Sequence, residues 1–239
     1  MAERFERVHC SHDEVELEGF LGKPERAGPH PAVLMFPGAT GPGPSFEAAA
    51  HELVGAGYVV AGIDMYGRGA DLSTPQSAGR HFADLLARPD VLRARVLAWL
   101  DAVCALPCVD PECVAAVGYC FGGKCVLELA RSGAAVKAVS SFHGLLGTHA
   151  PAMPGAVRAR IAVWTGGRDP YVPRADLAAL RAELDTADAD YQMTEFARAR
   201  HAFTDPDHDG IAEGIAYDPV AHRIAWSGTL ALLEATLAA

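Results

Sequence analysis

The order of apolar runs and helical stretches in this chain predicts an α/β domain: a mostly parallel sheet with an antiparallel N-terminal edge and helices on both faces. Three observations carry that expectation. Glu14 to Leu21 alternates polar and apolar residues as a half-buried strand does, and Phe5 to Cys10 can pair with it as a hairpin. Ala32 to Phe36 is an unbroken apolar run closed by Pro37-Gly38, which suits a strand covered on both faces. From there strands and helices alternate to the end of the chain, the pattern of strand-helix-strand units with parallel strands.

The elements follow in order. Gly38 to Pro44 reads as a loop, with Ser45 as the N-cap of a helix that carries Phe46, Ala49, Ala50, Leu53 and Val54 at helical spacing. Gly55 and Gly57 end it, and Tyr58 to Ile63 is the next strand. A helix places Leu92, Val96, Trp99, Leu100 and Val103 on one face, ahead of a strand at Cys113 to Val117. Phe121 to Arg131 is helical, Val136 to Phe142 and Arg160 to Thr165 are strands, Ala175 to Leu184 is a helix and Asp190 to Phe196 a strand. A last helix brings Trp226, Leu230, Leu233 and Leu237 together. No repeat or linker divides the 239 residues, so a single domain over 1–239 is expected.

Bulk properties narrow the function classes. Twenty basic against 30 acidic residues give a formal charge of -10, which repels a phosphate backbone, so no nucleic-acid partner is expected. The N-terminal residues are charged rather than apolar and no later segment is long and apolar enough to span a bilayer, so the expectation is a cytoplasmic protein with no membrane partner. Six cysteines are too few for a disulfide scaffold of this size. Cys104, Cys108 and Cys113 have a C-x3-C-x4-C spacing that fits zinc poorly, and no metal or cofactor is expected. Asp205-x-Asp207-x-Asp209-Gly210 begins like a calcium loop, but Ala216 stands where the bidentate glutamate should be, which leaves a solvated acidic loop.

The chemistry concentrates in Gly118-Tyr119-Cys120-Phe121-Gly122-Gly123, a G-x-C-x-G between a predicted strand and a predicted helix. Such an elbow holds its central residue in a strained turn, with glycine two positions to either side where a side chain would clash. It lifts the Cys120 thiol to the carboxyl end of the sheet, beside the positive end of a helix, which favours a thiolate. Asp169 follows the strand Ile161 to Trp164 in GGRDPYVP, and His201 follows the next strand in RHAFT. Nucleophile, then Asp, then His is the chain order of an α/β-hydrolase. His143, at the end of the strand Val136 to Phe142, is placed to line a substrate pocket.

The GYCFGG elbow, the GGRDPYVP acid turn and the RHAFTDPD base loop together resemble the dienelactone hydrolase family. The resemblance extends to YVVAGIDMYGR at Tyr58 to Arg68 and to the closing helix from Tyr217 to Leu237. It implies the α/β-hydrolase fold and a carboxymethylenebutenolidase-like esterase, with Cys120 as nucleophile, His201 as general base and Asp169 orienting it. It further implies an oxyanion hole from the backbone N–H groups of Phe121 and Gly38. Arg68 matches the first of two arginines that hold a substrate carboxylate in the family, whereas Asp205 stands at the second. Pro37 stands where the family has a glutamate beside the resting thiol. An acidic residue at the second arginine position repels a carboxylate, so the expected substrate is another small ester or lactone. Without the glutamate, Cys120 and His201 are expected to rest as a thiolate–imidazolium pair. The alternative is a redox-sensing scaffold that uses the elbow thiol without turnover. The expected assembly is a monomer or homodimer.

Overall fold

The computed structural model describes residues 5–237. Eight strands form one sheet in the order β1-β2-β4-β3-β5-β6-β7-β8. β1 (Glu6–His12) and β2 (Val15–Gly22) make the antiparallel edge, and β2 runs antiparallel to β4 (Val59–Gly62). β3 (His30–Phe36), β5 (Val109–Tyr119), β6 (Ala138–Phe142), β7 (Arg160–Gly166) and β8 (Tyr191–Phe196) continue it in parallel.

The alternation of side chains divides each inner strand between two cores. Ala32, Leu34 and Phe36 of β3 join Val114 and Ala116 of β5 on one face. Helices α3 (Pro89–Cys104), α4 (Phe121–Arg131) and α5 (Arg174–Thr186) cover that face through residues such as Trp99, Leu127 and Leu180. Val33, Met35, Ala115 and Val117 point the other way, under α1 (Pro44–Gly55) and α6 (Pro219–Leu237). Both faces are therefore dry, as continuous apolar strands require.

The expected strands and helices are present, with shifted ends. Gly43, not Ser45, is the N-cap of α1, because Pro44 supplies the first helical residue and the Ser45 hydroxyl is bonded to Asp205 instead. β5 begins four residues earlier than Cys113, on the β3 side of the sheet. One helix was not expected, α2 (Pro75–Ala87). Its signals are in the sequence: Thr74 caps the Ser77 N–H, Pro75 opens the first turn, and Ala78, Phe82 and Leu85 recur at helical spacing. No helix among the described residues is long and apolar enough to cross a membrane.

Strand register brings the candidate site residues together. Phe36 pairs with Gly118, Tyr119 with Phe142, Phe142 with Trp164, and Gly166 with Phe196. The turns that leave these carboxyl ends, Pro37-Gly38, Cys120, His143, 167–169 and 199–201, therefore emerge side by side, where open α/β sheets hold ligands.

Candidate active site

Cys120 is the turn between β5 and α4, and its backbone lies in the positive-φ region at φ 53° and ψ -111°. Few L-residues adopt this conformation without surrounding structure to hold it. The glycines explain how it is held. A Cβ at Gly118 would lie 2.0 Å from the Gly122 carbonyl oxygen, and one at Gly122 would lie 2.0 Å from that of Phe36. Only hydrogen at both positions lets α4 start directly over the ends of β5 and β3. The Cys120 N–H then donates to Phe142 O (2.9 Å) and the Gly122 N–H to Pro37 O (3.0 Å).

That second bond ties the β3 loop to the elbow. A Cβ on Gly38 would be 3.8 Å from the Cys120 Cβ, so the Gly38 backbone borders the Cys120 side chain. Phe121 opens α4, where helix geometry leaves its N–H without an intrahelical acceptor. The Phe121 ring is fixed by stacking on Tyr66 (5.7 Å between centroids, 5° between planes), and the Tyr66 hydroxyl donates to Ala39 O at 2.9 Å.

Asp169 and His201 come from adjacent loops that are bonded to each other. Gly167 N–H donates to Phe196 O (2.9 Å) and Arg168 N–H to Ala199 O (3.0 Å). The Asp169 side chain is fully buried; one oxygen accepts from the Tyr171 N–H (2.8 Å) and the other bonds His201 Nδ1 (2.8 Å). The His201 backbone is held from the far side by its own N–H to Gly214 O and by the Ala216 N–H to its carbonyl, at 3.0 and 3.1 Å. Burial alone would lower the proton affinity of His201. The Asp169 hydrogen bond and the Cys120 sulfur beside the ring more than reverse this, raising the pKa from 6.5 to about 10.

His143 reaches the same place from β6. It is buried, has φ 40°, and its ring meets that of His201 edge-on at 5.1 Å. Its Nε2 is 2.8 Å from the Thr204 hydroxyl, while Nδ1 has no partner. Burial, reinforced by the neighbouring His201, pushes its pKa well below the usual imidazole range, so His143 is neutral at physiological pH.

Cys120, His201 and His143 line one cavity of about 630 Å³. Its walls come from the 38–43 loop, α1, the 201–211 loop and the first turns of α6. Arg68 is elsewhere. It lines a separate cavity of about 250 Å³ with Pro37 and Phe121, is well exposed, and faces Glu16 and Glu18 at 3.7 Å each. The two cavities adjoin, since Gly38, Gly41 and Phe46 border both.

Tyr119, Glu52 and Trp226 are among the residues of the larger cavity that sequence reasoning did not anticipate. Trp226 shares its helical stripe with Leu230, Leu233 and Leu237, which hid it among core residues, yet its Nε1 donates to Glu52 Oε2 across the cavity wall at 2.9 Å. The acidic stretch 205–209 is engaged locally: Asp205 bonds the Ser45 hydroxyl and His208, and Asp207 accepts from the Ser45 N–H at 2.8 Å.

The profile described as dienelactone hydrolase family matches residues 17–237. The chain belongs to the dienelactone hydrolase family. A solved structure described as m3DLH is 31% identical, with a TM-score of 0.91 over 98% of this chain and 99% of that one. The dienelactone hydrolase-like promiscuous phosphotriesterase P91 from metagenomic libraries is also 31% identical, with a TM-score of 0.90 over 98% of both chains. An uncharacterized Caenorhabditis elegans protein is 35% identical over 151 residues, which are 62% of this chain and 95% of that one. This dienelactone hydrolase family member thus has the α/β-hydrolase fold.

Proposed function

We propose that this family member is a thiol hydrolase that opens a small ester or lactone through a thioester on Cys120. The observation that carries the reading is that Cys120 and His201 line one cavity, with a buried carboxylate bonded behind the imidazole. The strained elbow thiol faces His201, and His201 Nδ1 is bonded at 2.8 Å to a fully buried carboxylate whose second oxygen is already occupied.

In the proposed reaction the Cys120 thiolate attacks the substrate carbonyl and the oxyanion is received by the N–H groups of Phe121 and Gly38. Collapse of the tetrahedral adduct breaks the C–O bond, and His201 gives its Nε2 proton to the departing alcohol oxygen. In a lactone that oxygen stays tethered to the acyl group. His201, now neutral, removes a proton from water, which attacks the thioester; the acid leaves and Cys120 returns as thiolate beside the imidazolium. Asp169 holds the tautomer that makes both transfers possible. His143, neutral and packed edge-on against His201, shapes the pocket beside the reacting carbon.

Similarity to P91 supports a second substrate class for the same thiolate. A neutral phosphotriester carries its leaving group on phosphorus and meets no like charge from the thiol pair. The rival to both is a thiol that senses oxidants without turnover. All six cysteines are free thiols, which suits work in a reducing cytoplasm, as a monomer or homodimer.

The test is turnover of p-nitrophenyl acetate by wild type and Cys120→Ala, with mass spectrometry of quenched wild type. Hydrolysis that vanishes in Cys120→Ala and an acetyl group on Cys120 are expected. Oxidation of Cys120 with no ester turnover would instead establish the sensor.

A further inference from the structure

Outside the thiol pair, the fixed charges of the larger cavity are carboxylates. Glu52, Asp205 and Asp207 line it, and no lysine or arginine does. Its histidines do little to offset this. His143 is held neutral by burial, and burial also lowers the pKa of His222, against the pull of Glu52 and Asp205. His201 belongs to the thiol pair. His208 lies 2.7 Å from Asp205, so one of the three carboxylates has a partner that can carry positive charge; Glu52 and Asp207 face no cation among the described residues. Arg68, the cation that would otherwise answer an anionic substrate, lies in the smaller cavity against Glu16 and Glu18.

The carboxylates are also held in place, beside aromatic rings. The Trp226 indole N–H anchors Glu52, and the backbone and hydroxyl of Ser45 anchor Asp207 and Asp205. Phe46, Tyr119 and Trp226 complete this end of the cavity, with Phe46 and Tyr119 edge-to-face at 5.8 Å. Aromatic faces next to fixed carboxylates attract an organic cation and accept an uncharged apolar group, but they repel an anion.

We infer that this cavity selects esters whose remote end is cationic or uncharged and rejects those bearing a carboxylate there, with Glu52 and Asp205 as the specificity-determining residues. The inference rests on the proposed hydrolysis at Cys120. A unit charge roughly 8 Å from a carboxylate in a partly solvated cleft changes affinity by about tenfold. The preference therefore falls on KM, because the remote charge is equally distant in ground and transition states.

Three acetate esters of matched size test it: acetylcholine, its uncharged isostere 3,3-dimethylbutyl acetate, and 4-acetoxybutanoate. Wild type should turn over the anionic ester with kcat/KM about tenfold below the neutral one, and the cationic ester at or above it. Glu52→Gln and Asp205→Asn should each shrink the cation-to-anion ratio several-fold, as should raised salt. Reading the ratio within each variant cancels any general loss. Glu52 provides the second variant because Asp205 also braces its loop.

A companion measurement separates this inference from the catalytic reading. Size-matched cationic and anionic methanethiosulfonates label Cys120 whether or not it turns over an ester. Their rates, each normalised to its rate with a free thiol, should favour the cation by about tenfold or more in wild type. Failure of all three esters to turn over would overturn the hydrolase reading while this ratio still reported the cavity's charge. Equal or faster labelling by the anion, or an anionic ester used as well as the neutral one, would overturn the selectivity.

Discussion

Under the proposed mechanism, replacing Asp169 by asparagine should abolish ester hydrolysis without disturbing the fold. One Asp169 oxygen accepts the Tyr171 N–H at 2.8 Å, and the other faces His201 Nδ1 at 2.8 Å. In the Asp169→Asn variant the amide oxygen stays on the Tyr171 N–H, because an NH2 group there would meet another donor. The NH2 therefore points at Nδ1, which must become the acceptor, and the ring proton moves to Nε2. His201 then offers Cys120 a donor where a base is needed, and it loses the carboxylate that supports its imidazolium. Wrong-tautomer substitutions of this kind lower kcat by about 10^3 to 10^4, or roughly 4–5 kcal/mol of transition-state stabilisation. His201→Ala should do similar damage, and the two losses should not add. The assay is kcat for p-nitrophenyl acetate in the single and double variants, with circular dichroism to confirm folding. The pH dependence of Cys120 alkylation by iodoacetamide completes it, read by mass spectrometry. Wild type should alkylate readily near neutral pH and Asp169→Asn only at higher pH. An Asp169→Asn enzyme within tenfold of wild type, or an alkylation profile unchanged by it, would refute the relay.

Further outcomes follow from other parts of the structure. His143 is buried and neutral, so the folded state binds fewer protons than the unfolded chain once pH falls below about 6.5. Stability should then fall by up to about 1.4 kcal/mol per pH unit below that point, and His143→Gln should flatten this acid limb in melts between pH 6.5 and 5. Gly122→Ala drives a Cβ into the Phe36 carbonyl and should lower Tm by about 3–10 °C along with activity, from an overpacking cost of about 1–3 kcal/mol. Gly79→Ala in α2 meets nothing within 4 Å and should raise Tm by about 1–4 °C through helix propensity. Glu128 of α4 is buried between Arg131, Arg93 and Lys124. Glu128→Ala removes the carboxylate that Arg93, Lys124 and Arg131 share, while Arg131 keeps its pair with Glu183, and should cost about 1–3 kcal/mol in denaturant melts.

The sequence by itself determined the layered α/β architecture, because apolar runs too long for half-buried strands must be covered on both faces. It also determined the elbow. Glycines two residues either side of Cys120 record a steric requirement, since a Cβ at either position would lie 2.0 Å from a backbone oxygen. Asp169 and His201 were legible as candidates because each follows a strand and the pairing of β7 with β8 brings the two loops together. Helix α2 was legible in principle through Thr74, Pro75 and Ser77, whose capping pattern carries more information than its short apolar stripe. Tertiary structure alone decided what surrounds the thiol. Arg68 follows the sequence pattern of a substrate-binding cation, yet the turn after β4 aims it at Glu16 and Glu18 on β2, in a different cavity. Glu52 and Trp226 are 174 residues apart, on helices whose own periodicity marks each as ordinary surface or core. Only the packing of α1 beside α6 puts them on one wall, since local patterns encode which face of an element is dry but not which two elements share a cleft.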